Sequence, residues 1–151
     1  MSDRSLTEGE IKLAKPIFKD SIDYSAVRVH DGKYIFFQPG NSGMTPNGEI
    51  YVDGIYSADY SGESPQRQAF FIHEMTHVWQ AQARGRWHLP LRRHPFCRYD
   101  YALKPGWPLE RYGIEQQAEI MRHAFLLSRG VSVAGAPSLR SYRALLPFDA
   151  L

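Results

Sequence analysis

The period of the apolar residues changes along the chain, and each change marks an element. In "SLTEGEIKLAKPIF", Ile11, Ala14 and Phe18 share one helical face, behind a capping-box pair of Thr7 and Glu10. Pro16 lies inside that pattern and is expected to break or kink the helix early. From Asp23 to Val52 the period shortens to that of strands. "AVRVH" and "KYIFF" read as short strands separated by "DG", a hairpin turn signal, and "EIYVDG" reads as a third strand. "PGNSGMTPNG" is a loop by composition. Residues 41 to 66 hold Glu49, Asp53, Asp59 and Glu63 but no Lys or Arg, the pattern of a solvated acidic stretch.

A helical period then returns. Ser64 and Pro65 form a helix start, a capping serine with proline at the first helical position. That helix runs to about Ala83, with Gly85 as its stop. Residues 84–98, "RGRWHLPLRRHPFCR", carry five arginines and two prolines and read as an irregular excursion. A second long helix opens near Gly113 and ends at Gly130, and a shorter one, "SLRSYRALL", follows. The predicted fold class is α+β: a small antiparallel sheet and two central helices, in one domain over residues 1–151.

Composition narrows the function classes. The 151 residues suffice for one hydrophobic core, and 43% hydrophobic with 23% charged residues excludes disorder as the default. A formal net charge of +2 is too small to argue for nucleic acid or a membrane surface. No run approaches the ~20 apolar residues of a membrane span, so stable membrane insertion is not expected. The first residues, "MSDRSLTEGEIKLAKP", lack the apolar core of a signal peptide, which predicts a chain made in the cytoplasm. Cys97 is the sole cysteine, so a disulfide or a cysteine-based metal site is excluded. A metal would have to use histidine and carboxylate ligands.

Such ligands occur in "AFFIHEMTHVWQ", residues 69–80. Residues four apart on a helix sit one above the other, so His73 and His77 can aim two imidazoles at one ion. Glu74, beside the first histidine, can reach a water on that ion. This is the H-E-x-x-H arrangement: two zinc ligands and a general base. The flanking Phe70, Phe71, Ile72, Met75, Thr76, Val78 and Trp79 carry no charge, as a buried metal helix requires. The rival reading is a core helix with two satisfied histidines.

A catalytic zinc takes a third protein ligand and keeps one position open. The elongated motif would continue with glycine and histidine, but Gln80 and Ala83 stand there, which excludes that class. "YGIEQQAEIMRH" offers Glu115 and Glu119 on one face of a separate helix. The spacing resembles the thermolysin-like zincins with a glutamate ligand. That resemblance implies Glu115 as third ligand and Glu119 as the group orienting a histidine, His73 first; exchanged roles remain open. His123, four residues further on, is placed to bond Glu119 or to assist at an oxyanion, or is a surface histidine. Tyr99, Tyr101 and Tyr112 are further candidates for the oxyanion. His30 reads as structural, His88 and His94 as surface residues, and Cys97 as an inert thiol.

"LTEGEIKLAKPIFKDSIDYSAVRVH", "MTPNGEIYV", "FFIHEMTHVWQ" and "YGIEQQAEI" occur in that order. Together they resemble the metallopeptidase effector family associated with bacterial type VI secretion, found as small proteins and as C-terminal domains of VgrG spike proteins. A more distant similarity is to a core domain found with extracellular contractile injection systems. The resemblance spans most of residues 6–125 and implies a zincin-like fold with His73, His77 and Glu115 on Zn2+ and Glu74 catalytic. It departs at Gly113, where the family often has asparagine. It further implies a toxin injected into the periplasm of target cells, a VgrG spike carrier, an immunity protein, and a protein or peptidoglycan-peptide substrate. The alternative is a non-catalytic, zinc-stabilised adaptor of the spike, with His123 or Cys97 closing the fourth metal position. A weaker reading has the arginine-rich excursion bind an anionic surface.

Overall fold

The computed structural model of the chain describes residues 2–34, 38, 40, 42–85, 98–147 and 151. Strand β1 (Ser2–Ser5) leads into helix α1 (Glu8–Phe18). Strands β2 (Arg28–Asp31), β3 (Ser42–Met44) and β4 (Ile50–Asp53) follow, then helices α2 (Pro65–Arg84), α3 (Ile114–Ser128) and α4 (Leu139–Arg143). The α+β class and the small sheet stand as expected. Among the described residues no helix is long and apolar enough to cross a membrane.

The sheet itself is mixed, not antiparallel as the hairpin signal suggested. Its order is β1-β2-β4-β3, and the central β2 and β4 run parallel. A parallel pair needs a long crossover, which the eighteen residues between Asp31 and Ile50 supply. Lys33 and Tyr34 are not in a strand, and residues 35–37 of the expected second strand lie outside the described residues. Two strands had no apolar alternation to reveal them. β1 is polar throughout and is held by its ladder to β2 and by Arg28 on Asp3 at 2.8 Å. β3 lies in the segment expected to be a loop; pairing with β4 fixes its extended form, so tertiary context overrides a turn-like composition.

Helix α1 begins as its sequence requires. Thr7 Oγ1 accepts the Glu10 N–H at 3.0 Å and the Glu10 carboxylate accepts the Thr7 N–H at 2.9 Å. The expected early break at Pro16 does not occur; the helix runs on to Phe18. Pro16 and Lys12, the residue whose carbonyl loses its donor, are both exposed, so the gap faces water. Ile17 and Phe18, buried in the core, hold the last turn.

Helix α2 starts at the Ser64 cap and stops at Gly85, whose φ of 94° is a conformation other residues rarely adopt. It is buried almost all round its middle, as a central helix is. It packs lengthwise on α3. At the start of α3 the Gln116 carboxamide accepts the Gly113 N–H at 2.8 Å, while Gly113, having no side chain, caps none of the first-turn N–H groups. The apolar core runs from α1 through the sheet to α2, α3 and α4, with Tyr60 and Tyr142 among its largest fully buried side chains. Three acids of residues 41–66 are engaged in hydrogen bonds: Asp59 holds Ser61 and, from the start of α1, Thr7; Glu63 holds Ser57; and Glu49 holds His30 of β2 at 2.8 Å. His30 also stacks on Tyr51, the structural part expected of it.

One buried ion pair ties the N-terminal strand to the rest. Glu10, with no exposed surface, receives Arg4 at 2.8 and 2.9 Å and the Tyr60 N–H at 2.9 Å. Breaking such a pair by removing one partner strands a buried charge, at about 3–5 kcal/mol. Glu10→Ala is therefore expected to lower unfolding free energy by about that amount, read from the urea midpoint; a loss under ~1 kcal/mol would contradict the assignment.

Candidate metal centre

Helix α2 brings His73 and His77 to its face against α3, with Glu74 beside them on the side of β3, and α3 brings Glu115 and Glu119 to meet the histidines. His73 Nε2 lies 3.1 Å and His77 Nε2 2.9 Å from the same oxygen, Glu115 Oε1. One ligand atom from each of His73, His77 and Glu115 can be chosen so that all lie within 4.8 Å of one another. All three are buried or nearly so, at 9%, 3% and 2% exposure. Among the described residues this is the one group arranged to hold a metal ion.

The other ring nitrogens set the chemistry. His73 Nδ1 lies 3.0 Å from Glu119 Oε2, and His77 Nδ1 lies 2.8 Å from Gln80 Oε1. Both partners are acceptors, so each Nδ1 carries its proton. Each Nε2 then turns a lone pair toward the Glu115 oxygen. Acceptor facing acceptor at about 3 Å is repulsive unless a proton or a cation lies between.

The donor set fits a cation. Ligand atoms around a tetrahedral zinc at ~2.1 Å stand about 3.4 Å apart, so a slight opening of the cluster would admit the ion. Glu74, Glu115, Glu119 and Arg122 line the same cleft, of about 300 Å³. With neutral imidazoles, three carboxylates against one guanidinium leave two negative charges, the complement of a divalent ion. Without an ion the protons must do this work. Burial opposes charge on His73, but hydrogen bonds to Glu115 and Glu119 prevail and raise its pKa to about 9. Burial likewise opposes charge on the two acids. The histidines hold Glu115 well below the usual carboxylate range, and His73 and Arg122 bring Glu119 to about 2.

Glu74 is buried beside the ligands, and its Oε2 accepts the Thr45 hydroxyl at 2.6 Å. Glu119 reaches His73 and is itself gripped by Arg122 Nε at 2.7 Å. His123 does not bond Glu119. Its Nδ1 meets the Tyr101 hydroxyl at 2.6 Å, which in turn meets Tyr142 at 2.6 Å. Burial and the neighbouring Arg122 charge keep its pKa below the ordinary histidine value. Tyr112 is also engaged elsewhere, its hydroxyl accepting the Lys104 N–H at 2.9 Å. Of the three tyrosines only Tyr99 lines the cleft, its ring stacked on His73 with centroids 6.1 Å apart. His88, His94, Cys97 and the rest of residues 86–97 lie outside the described residues, and with them most of the arginine-rich excursion.

Two partners escaped the sequence reading. Gln80 figured there only as a residue that excludes the elongated motif, yet it fixes His77 and, through its amide nitrogen, reaches Ile114 O at 3.1 Å and Gln117 at 3.0 Å. Its place one turn after His77 was the available signal. Thr45 had none, since nothing in the sequence pairs it with a helix 29 residues away.

Fold and site together define a mixed α+β domain that presents a buried two-histidine, one-glutamate cluster. No family profile matches the chain. It is 47% identical over 146 residues to the type VI secretion system spike protein VgrG2b of Pseudomonas aeruginosa, covering 89% of this chain. The chain spans 14% of the length of that relative. The solved effector domain of Pseudomonas aeruginosa VgrG2b superposes with a TM-score of 0.76 at 41% identity, over 95% of this chain and 81% of that one. The chain belongs to the family of VgrG2b effector domains.

Two measurements test the cluster. Removing a partner that orients a ligand histidine typically weakens metal binding about 10–100-fold. Gln80→Ala is expected to weaken zinc binding by about that factor in a competition titration, with an unchanged affinity as the contrary result. In metal-free protein the raised pKa of His73 adds stability that is complete below the ordinary 6.5 and lost as pH rises through about 9. The Tm of chelator-treated protein should therefore fall across that window, and a flat profile would contradict the proton-filled cluster.

Proposed function

We propose that this chain is a zinc-dependent hydrolase of amide bonds with a zincin-like fold, serving as the toxic effector domain of a type VI secretion spike. The observation that carries the reading is the convergence of His73 Nε2 and His77 Nε2 on Glu115 Oε1, with the Glu74 carboxylate in the same cleft. Zinc, when bound, supplies a Lewis acid that polarises a carbonyl and lowers the pKa of a water to about 7.

The chain's own residues supply the rest. His73, His77 and Glu115 would hold the ion, with Glu119 and Gln80 fixing the tautomers. Glu74 accepts the proton of the attacking water at a carboxylate oxygen and delivers it to the departing amide nitrogen. Tyr99 and Arg122, at the cleft wall, are side chains that could meet a substrate's polar atoms. The surrounding Phe70 and Ile55 limit water entry and so strengthen each electrostatic contact. The substrate class is protein or the peptide cross-links of peptidoglycan. Carriage on the spike, injection into the target periplasm and an immunity protein in the producer complete the proposal, supported by kinship with the VgrG2b effector domain.

General-base catalysis contributes about 10²–10⁴-fold in rate. Directed to the periplasm of a sensitive bacterium, the wild-type chain is expected to stop growth. Glu74→Ala, still carrying one zinc per chain, should lose roughly two or more orders of magnitude of killing in colony counts. Full toxicity of zinc-loaded Glu74→Ala would sink the hydrolytic reading.

A further inference from the structure

We infer that Thr45 is the positioning residue of Glu74: its hydroxyl and the backbone of edge strand β3 together fix which carboxylate oxygen faces the cleft. This rests on the reading of Glu74 as proton acceptor. The two histidines are each held at Nδ1 by a partner on the helices. Glu74 has no such partner on α2 or α3 among its hydrogen bonds; its anchor comes from the sheet. Thr45, 1% exposed, follows β3 directly and donates to Glu74 Oε2 at 2.6 Å. A β-branched side chain is stiff about χ1, so the donor direction is set by the strand.

The other oxygen is confined from the same strand. Gly43, within the strand and two residues before Thr45, approaches the same carboxylate. An ideal Cβ on Gly43 would stand 2.8 Å from Glu74 Oε1 and 2.6 Å from the Phe70 ring. Only a residue without a side chain lets the strand come this close. The carboxylate therefore sits between a hydroxyl on Oε2 and bare backbone beside Oε1. Oε2 is committed to Thr45, and Oε1, on the Gly43 side that lines the cleft, is the oxygen available for proton transfer. In a buried site such a hydrogen bond is stronger than in water, and the orientation it imposes is bought once, on folding.

The test uses the zinc-loaded full chain and acetohydroxamic acid, a small zinc ligand whose hydroxyl proton needs a carboxylate acceptor beside the metal. Binding is measured by isothermal titration, with zinc content and unfolding temperature measured in parallel. Thr45→Val is expected to bind about tenfold more weakly while keeping one zinc per chain and a single cooperative unfolding transition, as befits loss of a hydrogen bond to a charged group. Thr45→Ser should return to within about threefold of wild type, and Gly43→Ala should weaken binding by displacing the carboxylate. If Thr45→Val does not fold, Thr45→Ala takes its place under the same criteria. Wild-type affinity in the hydroxyl-free variant, or a Thr45→Ser as weak as Thr45→Val, overturns the inference. Glu74→Gln separates the two levels. If it binds weakly while Thr45→Val binds normally, only the positioning role fails; if it binds like wild type, or if wild type does not bind, the reading of Glu74 fails too.

Discussion

Two imidazole nitrogens aimed at one carboxylate oxygen form the contact on which this structure depends. His73 and His77 approach Glu115 Oε1 to 3.1 and 2.9 Å from a different helix, in a buried site. The arrangement is unfavourable for neutral rings and a bare carboxylate, so something positive must sit within it. The long packing of α2 on α3 makes the approach possible, and Glu119, Gln80 and Arg122 make it specific by fixing how each ligand turns. The sheet contributes from the other side, through Thr45 and Gly43 against Glu74.

Much of this was legible in the sequence because it is local. The caps at Thr7 and Ser64, the stop at Gly85 and the i,i+4 spacings of His73/His77 and Glu115/Glu119 are set by helix geometry alone, and helix geometry is periodic. The meeting of the two helical pairs could be anticipated only through likeness to glutamate-ligand zincins. What escaped is what depends on distant partners. β1 and β3 lack apolar alternation and exist by pairing to β2 and β4. The parallel β2–β4 pair contradicted a turn signal at Asp31-Gly32 that is valid only when the next segment returns alongside. Pro16 stayed within its helix because its missing bond faces solvent while Ile17 and Phe18 anchor the turn in the core. His123, for which the spacing left a bond to Glu119, a place at an oxyanion and a surface position all open, joins Tyr101 and Tyr142, a choice set by α4, which no spacing within α3 encodes.

Kinship with the VgrG2b effector domain agrees with the architecture, and the chain spans 14% of the length of the spike protein VgrG2b. A charged site inside a small fold needs strong ties elsewhere, and the Arg4–Glu10 pair, buried between β1, α1 and the Tyr60 turn, is one of them.

X-ray absorption at the zinc edge on the purified, zinc-loaded chain tests the central claim most directly. The account predicts zinc bound by two imidazole nitrogens and a carboxylate oxygen, with a fourth light-atom ligand that exchanges with added acetohydroxamate; Glu115→Ala should remove the carboxylate contribution. A chain that takes up no zinc, or a zinc whose fourth ligand is a protein side chain that acetohydroxamate cannot displace, would contradict it.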